Sequence, residues 1–148
     1  MPKVRWLFIL MAGMFLTTGL SIASAAQFDK VIEGRQDLMK GIGAASKAMR
    51  SATDAAGVAA SADKLAAAFA KINADTFPKG SSDGSRSKPE IWEQWDKFTA
   101  AAKNAVTLAE AIATKARAGG STAELVKAFG KNACGTCHRP FRKPKQKS

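Results

Sequence analysis

Apolar residues recur at steps of three and four positions along most of the chain, which is the spacing of one face of an α-helix. This pattern predicts helices over about residues 28–49 and 54–74, a third from residue 87 to the glycine pair at 119–120, and a fourth from residue 121. Residues 75–87 are rich in Gly, Ser and Pro, which is typical of a loop. No alternation typical of strands competes with this pattern. We therefore expect an all-α fold, an antiparallel four-helix bundle.

The third and fourth helices each begin with a sequence typical of a helix N-terminus. Ser87 and Ser121 are each followed three residues later by a glutamate, the spacing of a capping box, whose side chains hydrogen-bond the first backbone N–H groups. Pro89 falls in the first turn of the third helix, where a missing N–H costs little. In the fourth helix, Pro140 removes a backbone donor, so we expect the helix to end or kink there.

The first 26 residues have the layout of a secretory signal peptide. Lys3 and Arg5 form a basic start, residues 6–16 form an apolar stretch, and small residues follow it. An uncleaved membrane anchor is the alternative, but the polar and small residues that interrupt the apolar stretch favour cleavage. We expect residues 27–148 to form the mature protein, a single domain in the periplasm with no further segment able to span a bilayer.

The chain is strongly basic. It contains 23 Lys and Arg against 12 Asp and Glu, and loss of the two basic residues of the leader leaves a formal charge of +9. Such a surface favours acidic partners and salt-sensitive association. We expect no nucleic-acid partner, because the protein is exported and its helices carry no basic stripe interleaved with aromatic residues. Five basic residues lie in the last ten positions: Arg139, Arg142, Lys143, Lys145 and Lys147. They can form either a solvated tail or a patch that docks a partner.

Near the C-terminus, the segment from Cys134 to His138 reads C-G-T-C-H, the attachment signature of c-type haem. Two thiols can add across the vinyl groups of the porphyrin to form thioether links. Positions i and i+3 of a helix share a face, so both sulfurs reach one edge of the ring, and the histidine at i+4 shares that face. The sequence predicts one covalently bound haem c, with thioethers at Cys134 and Cys137 and His138 as an axial iron ligand.

Other uses of the two cysteines are less well supported. A redox-active dithiol normally lies where a strand enters a helix, and no strand is predicted. A zinc site needs a fourth ligand, and the chain has no further Cys or His. A basic exported binding protein with a purely structural C-x-x-C stays an alternative. We expect that the protein is not an enzyme; peroxidase activity in particular is poorly supported, because no second histidine is available as a distal acid–base catalyst.

The second axial ligand can be narrowed by elimination. Strong haem ligands are His, Met, Cys thiolate and Tyr, and the chain has one His, no Tyr and two cysteines already used. Only Met39 and Met49 remain after the leader is removed, both on the first helix. A methionine on an apolar helix face more often packs in a core. Gly41 and Gly43, however, would let a large group approach the helix, so ligation and packing of Met39 are about equally supported.

The chain after the leader resembles the class II c-type cytochromes, the family of cytochrome c′ and cytochrome c-556. The similarity rests on RQDLMK at residues 35–40, KPEIW at residues 88–92, and the C-x-x-C-H segment followed by Phe141 and Arg142. Members are four-helix bundles with the haem motif near the C-terminus. The residue four positions after the first-helix arginine divides the family: five-coordinate cytochrome c′ often has leucine there, and low-spin cytochrome c-556 has methionine.

In this chain the residue four positions after Arg35 is Met39, so the resemblance implies Met39 as the sixth iron ligand. It implies electron transfer through a His/Met-ligated haem, and haem contacts for Arg35 and Arg142. It further implies a redox partner protein, acidic to match the basic surface, and a homodimer formed through the first two helices. If Met39 only packs near the iron, the alternative is a five-coordinate protein like cytochrome c′ that binds NO or CO.

Overall fold

The computed structural model describes the backbone of residues 21–145 and the side chains of residues 28–145. Most of the predicted signal peptide therefore lies outside the described residues. The helices are α1 (Ser21–Ser51), α2 (Ala55–Phe69), α3 (Glu90–Glu93), α4 (Trp95–Arg117), α5 (Ala123–Phe129) and α6 (Gly135–Phe141), with a π-helical turn at Gly130–Cys134 between α5 and α6. The predicted all-α bundle is confirmed. The four helices of the bundle are α1, α2, α4 and the segment formed by α5, the π-helical turn and α6. No helix in the described part of the chain has the length and apolar character needed to cross a bilayer.

The helix boundaries differ from the predicted ones in several places. α1 begins at Ser21, about seven residues before the predicted start, and the π-helical turn divides the fourth predicted helix into α5 and α6. The second helix ends at Phe69, about five residues early, so the loop to α3 is longer than the sequence indicated. The third predicted helix is divided into α3 and α4, because Gln94 leaves the helical conformation with φ −122° and ψ 45°. At the start of α2, the carboxylate of Asp54 accepts a hydrogen bond of 2.6 Å from the backbone N–H of Gly57 and acts as the N-cap.

Both predicted capping boxes are wrong. Neither α3 nor α5 has a side-chain hydrogen bond at its N-cap position. The hydroxyl of Ser87 instead accepts a 2.7 Å hydrogen bond from the side chain of Arg35, so a tertiary contact has taken the oxygen that local capping would have used. At α5 the N-cap position is Thr122, one residue later than the capping box would place it.

The core is formed mainly where α2 packs against α4. Leu65 and Ala62 on α2 and Ala105 and Ala109 on α4 are completely buried. Because alanine carries only a methyl group, a row of alanines on each helix lets the two backbones approach closely. Ile112 and Met49 complete this part of the core from α4 and α1, each about 1% exposed.

Replacing Leu65 by alanine should lower the free energy of unfolding by about 2–5 kcal/mol, because it leaves a cavity in the fully buried α2–α4 contact. The measurement is urea denaturation of the haem-loaded protein followed by circular dichroism. The control is Lys64→Ala at the neighbouring exposed position, which should change stability by less than about 0.5 kcal/mol. Equal effects of the two substitutions would contradict this packing.

Candidate functional site

A cavity of about 670 Å³ opens between α1, the loop of residues 70–89 and α6. Its interior is apolar and continuous with the core, since these lining residues are all buried: Ile32, Ile42, Phe69, Ile72, Phe77, Ile91, Phe98 and Phe141. The size and the apolar lining are typical of a site for a small molecule or cofactor.

All six residues that the sequence singled out line this one cavity. Cys134, Cys137 and His138 lie on the wall formed by the π-helical turn and α6, and Arg142 follows directly after it; Arg35 and Met39 lie on the α1 wall. The structure therefore brings together residues that are about 100 positions apart in the chain.

The C-x-x-C-H wall is held in place by Phe141, the last residue of α6. Its ring is 3% exposed and packs edge-on against the ring of Phe98 on α4, with centroids 5.4 Å apart.

As expected from Pro140, α6 ends within two residues of that proline, and Arg142 has an extended backbone with φ −117° and ψ 130°. The side chain of Arg142 nevertheless lines the cavity.

The two cysteines are free and form no disulfide. Burial, together with the nearby charge of Cys134, raises the pKa of the Cys137 thiol to about 11. Burial also raises the pKa of Cys134, against the opposing effect of the positive charges of Arg50 and Arg142. Redox-active dithiols have a lowered thiol pKa, so this pair lacks the property that the dithiol alternative requires.

The imidazole of His138 suits a bound iron. Burial lowers its pKa, and the positive charges of Arg142 and Arg86 lower it further, so the ring is neutral at pH 7 and keeps a nitrogen lone pair for a metal. Within residues 28–145, no group of three or more His, Cys, Asp or Glu side chains is arranged to hold a metal ion. One neutral imidazole and two thiols beside an apolar cavity fit a haem attached through C-x-x-C-H.

The two candidate methionines have different surroundings. Met39 is half-buried and lines the cavity. Met49, ten residues further along α1, is 1% exposed and packs in the hydrophobic core. Gly43, one turn after Met39, also lines the cavity, whereas Gly41 is exposed and does not.

Arg35 is buried, and most of its guanidinium is bound by the loop of residues 70–89. Its Nε donates to the carbonyl of Thr76 (3.0 Å), one Nη to the carbonyl of Ser81 (3.3 Å) and the hydroxyl of Ser87 (2.7 Å), and the other Nη to the hydroxyl of Ser81 (2.6 Å). The guanidinium carbon also lies 4.3 Å from the centre of the Phe77 ring. Because four of the five N–H donors are used within the chain, one donor is left for a bound group.

The chain after α6 holds the same loop from the other side. Ser87 and Arg142 form an isolated antiparallel bridge, and the N–H of Lys143 donates to the carbonyl of Arg86 at 2.8 Å. The guanidinium of Arg86 in turn donates to the carbonyl of Lys143 at 2.9 Å and 3.1 Å. The loop that forms one rim of the cavity is therefore bound on two sides, by α1 and by the chain after α6.

The charge of the cavity lining was not foreseen from the sequence. Five cationic residues line it and no carboxylate among the described residues does: Arg35, Lys40, Arg50, Arg86 and Arg142. The basic composition pointed only to an overall positive charge, because Arg86 and Arg142 are brought to the same cavity as the α1 cations only by the fold. A cavity with an apolar interior and a cationic rim fits a flat apolar group with anionic substituents.

The comparisons with known proteins agree with this geometry. The profile of the family described as Cytochrome C′ matches residues 30–142. The chain is 35% identical over 133 residues to a cytochrome c-556 of Agrobacterium fabrum (strain C58), which covers 84% of this chain and 88% of that protein. It is 33% identical over 120 residues to a cytochrome c-556 of Agrobacterium tumefaciens (strain B2A), which covers 75% of this chain and 95% of that protein.

Two solved structures are similar over most of the chain. A cytochrome c′ from Thermochromatium tepidum superposes with a TM-score of 0.64 at 25% identity, covering 79% of this chain and 98% of that one. A cytochrome c′ described as having an unusual ligand-controlled dimer dissociation superposes with a TM-score of 0.65 at 29% identity, covering 86% of this chain and all of that one.

Replacing Arg35 by glutamine should lower the free energy of unfolding by about 1–3 kcal/mol, because buried loop acceptors lose their donors. Amide exchange of residues 76–87 should become faster in the same variant. The matched control is Arg117→Gln, which removes an exposed arginine paired with Asp63 and should cost only about 0.2–1 kcal/mol. Hydrogen–deuterium exchange and urea denaturation measure both effects. Equal losses for the two arginines would contradict the role of Arg35 in holding the loop.

Proposed function

This chain belongs to the cytochrome c′ family, the class II c-type cytochromes, and we propose that it transfers single electrons through a haem iron ligated by His138 and Met39. Members of the family carry a covalently attached haem c, so this chain carries one as well. We assign the two thioether links to Cys134 and Cys137. The bound haem supplies exchange of one electron between Fe(III) and Fe(II).

The observation that carries this proposal is the position of Met39. Among the described residues, the side chains that line the cavity include one methionine and one histidine, and the chain contains no tyrosine. Met39 is therefore the strong-field ligand available on the α1 wall. Met49 is not available, because its side chain is buried in the core. Met/His ligation raises the reduction potential, and retention of both ligands in both oxidation states keeps reorganisation small, which suits an electron carrier. The names of the curated relatives, both cytochrome c-556, support the same choice.

A second candidate function is the binding of NO or CO by a five-coordinate iron. It is favoured by the similar solved structures, which are described as cytochromes c′. In this case Met39 would pack near the iron without binding it, and a small ligand would occupy the sixth position.

The cationic rim supports an acidic redox partner. Lys40, Arg50 and Arg86 are exposed residues at the cavity, and no carboxylate among the described residues lines it, although Asp37 beside the cavity pairs with Lys40 at 2.7 Å. Opposite charge on a partner would raise the rate of encounter and orient it towards the cavity opening.

The proposal places the protein in the periplasm, in agreement with the signal-peptide pattern of its first 26 residues. A homodimer through α1 and α2 stays a prediction. One similar cytochrome c′ is described as having a ligand-controlled dimer dissociation, which supports testing the oligomeric state of this chain with and without CO.

Replacing Met39 by leucine should convert the haem from low spin to high spin and open it to CO, because leucine fills similar space without a donor atom. Absorption spectra of the oxidised and reduced protein, with and without CO, measure the change. The reduction potential should also fall. The matched control is Met49→Leu, which makes the same change in the core and should leave the spectra unaltered.

The wild-type spectra decide between the two candidate functions. A sharp reduced α-band without a CO shift supports Met/His ligation. A broad high-spin reduced spectrum that shifts at once with CO would contradict it and establish gas binding as the function.

Replacing both Lys40 and Arg50 by glutamine should slow oxidation of the reduced protein by the anion ferricyanide about two- to tenfold at low ionic strength, since two attractive charges are lost. Oxidation by tris(phenanthroline)cobalt(III), a cation, should become faster. Stopped-flow absorbance at several salt concentrations measures both rates. The control replaces both Lys64 and Lys115 by glutamine. These two lysines are exposed but do not line the cavity. Wild-type rates that do not change between low and high salt would exclude electrostatic guidance at this rim.

A further inference from the structure

A π-helical turn immediately precedes the haem-attachment helix. It spans Gly130–Cys134, and the backbone N–H of Gly135 donates to the carbonyl of Gly130, five residues earlier instead of four. A π-turn acts as one residue inserted into an α-helix, and such turns are rare and frequently lie at functional sites. Neither the apolar pattern nor the haem motif predicted it.

The burial pattern shows what the turn does to the helix that follows. Phe129 and Ala133 are buried, and a regular α-helix would next turn residues 136 and 140 inward. Thr136 and Pro140 are instead exposed, whereas Cys137 is half-buried and Phe141 is buried. Since one residue rotates an α-helix by about 100°, the residue that the turn inserts rotates α6, with Cys137 and His138, by roughly that angle relative to α5.

Two side chains bind the same carbonyl inside this turn. The hydroxyl of Thr136 donates to the carbonyl oxygen of Asn132 at 2.7 Å, and the side-chain amide of Asn104 on α4 donates to the same oxygen at 3.2 Å. A carbonyl oxygen has two lone pairs, so it can accept both bonds. Asn104 ties the turn to α4, and Thr136 ties it to α6.

We propose that Asn104 and Thr136 are positioning residues, which stabilise the π-turn and thereby set the rotation of the haem-attachment helix against the α1 wall. The inference rests on the proposed function in one respect: the rotation determines whether a haem held at α6 presents its free face to Met39. Loss of the two hydrogen bonds lets the turn revert towards a regular α-helix. Cys137 and His138 would then face a different part of the cavity, and a haem held by them would no longer be aligned with Met39.

The test uses the full chain, matured with haem in the periplasm of an expression host. The double variant Asn104→Leu with Thr136→Val removes both donors without adding a charge and keeps the sizes of the side chains nearly unchanged. The single variant Thr136→Ser keeps the hydroxyl and serves as the conservative variant. The matched control is Thr107→Val, because Thr107 is an exposed α4 residue whose hydroxyl also donates to the carbonyl four residues before it, that of Lys103, outside the cavity.

Three measurements are compared among these variants: the CO-induced absorption change of the reduced protein, circular dichroism in the Soret region, and thermal unfolding. Soret circular dichroism reports how the haem is set in the protein whether or not Met39 binds the iron. We expect about a tenfold rise in the CO-binding fraction of the double variant and an altered Soret signal, since two hydrogen bonds bias the equilibrium. The single variants Thr136→Ser and Thr107→Val should behave as wild type.

The outcomes separate this inference from the proposed function. If the wild type binds CO at once, Met39 ligation is wrong, and the Soret signal alone then decides: a change in the double variant that is absent from Thr107→Val supports the positioning role. A double variant with wild-type Soret signal and CO response overturns it. So does a loss of thermal stability without any change in the haem signals, because that would show the two residues to be structural only.

Discussion

In the proposed function, two thiols and one imidazole have to meet one flat ring, and they come from two adjoining elements: Cys134 ends the π-helical turn, and Cys137 and His138 lie on α6. The C-x-x-C-H spacing keeps the three groups close together, but it does not direct them towards the cavity. Their direction depends on the elements around them: the π-helical turn at the start of the motif, a proline after it, and the ring of Phe141 packed against Phe98. The segment is therefore a separate piece of helix whose rotation is set by tertiary contacts at both ends.

The opposite rim of the cavity depends on a buried arginine. The loop of residues 70–89 has few apolar side chains with which to fold by itself, and Arg35 from α1 supplies four hydrogen bonds to its carbonyls and hydroxyls. Burial of a guanidinium is costly unless its donors are paired, so the loop and the arginine stabilise each other. The chain after α6 adds a short antiparallel bridge to the same loop, so the loop is bound both to α1 and to the C-terminal segment.

The two methionines of α1 have different roles because they lie at different positions in the fold. Met39 and Met49 are about 15 Å apart along the axis of α1, and of the two only Met39 lines the cavity. Met49 is surrounded by the α2–α4 core, where a flexible thioether fills space. Met39 faces a cavity in which the same sulfur is free to act as a ligand.

The sequence alone determined the helical class, the four helices of the bundle and the haem motif, because helix periodicity and the C-x-x-C-H spacing are local properties that few residues specify. It also singled out Arg35, Met39 and Arg142, through a resemblance carried by short motifs. Only the tertiary structure decided what depends on distant neighbours. Ser87 bonds Arg35 instead of capping a helix, cations from α1, the loop and the chain after α6 line one cavity, and an unpredicted π-turn interrupts the helix that carries the motif. The partner of a hydrogen-bonding group is the group that lies within reach in the folded chain, and it can come from a residue far away in the sequence.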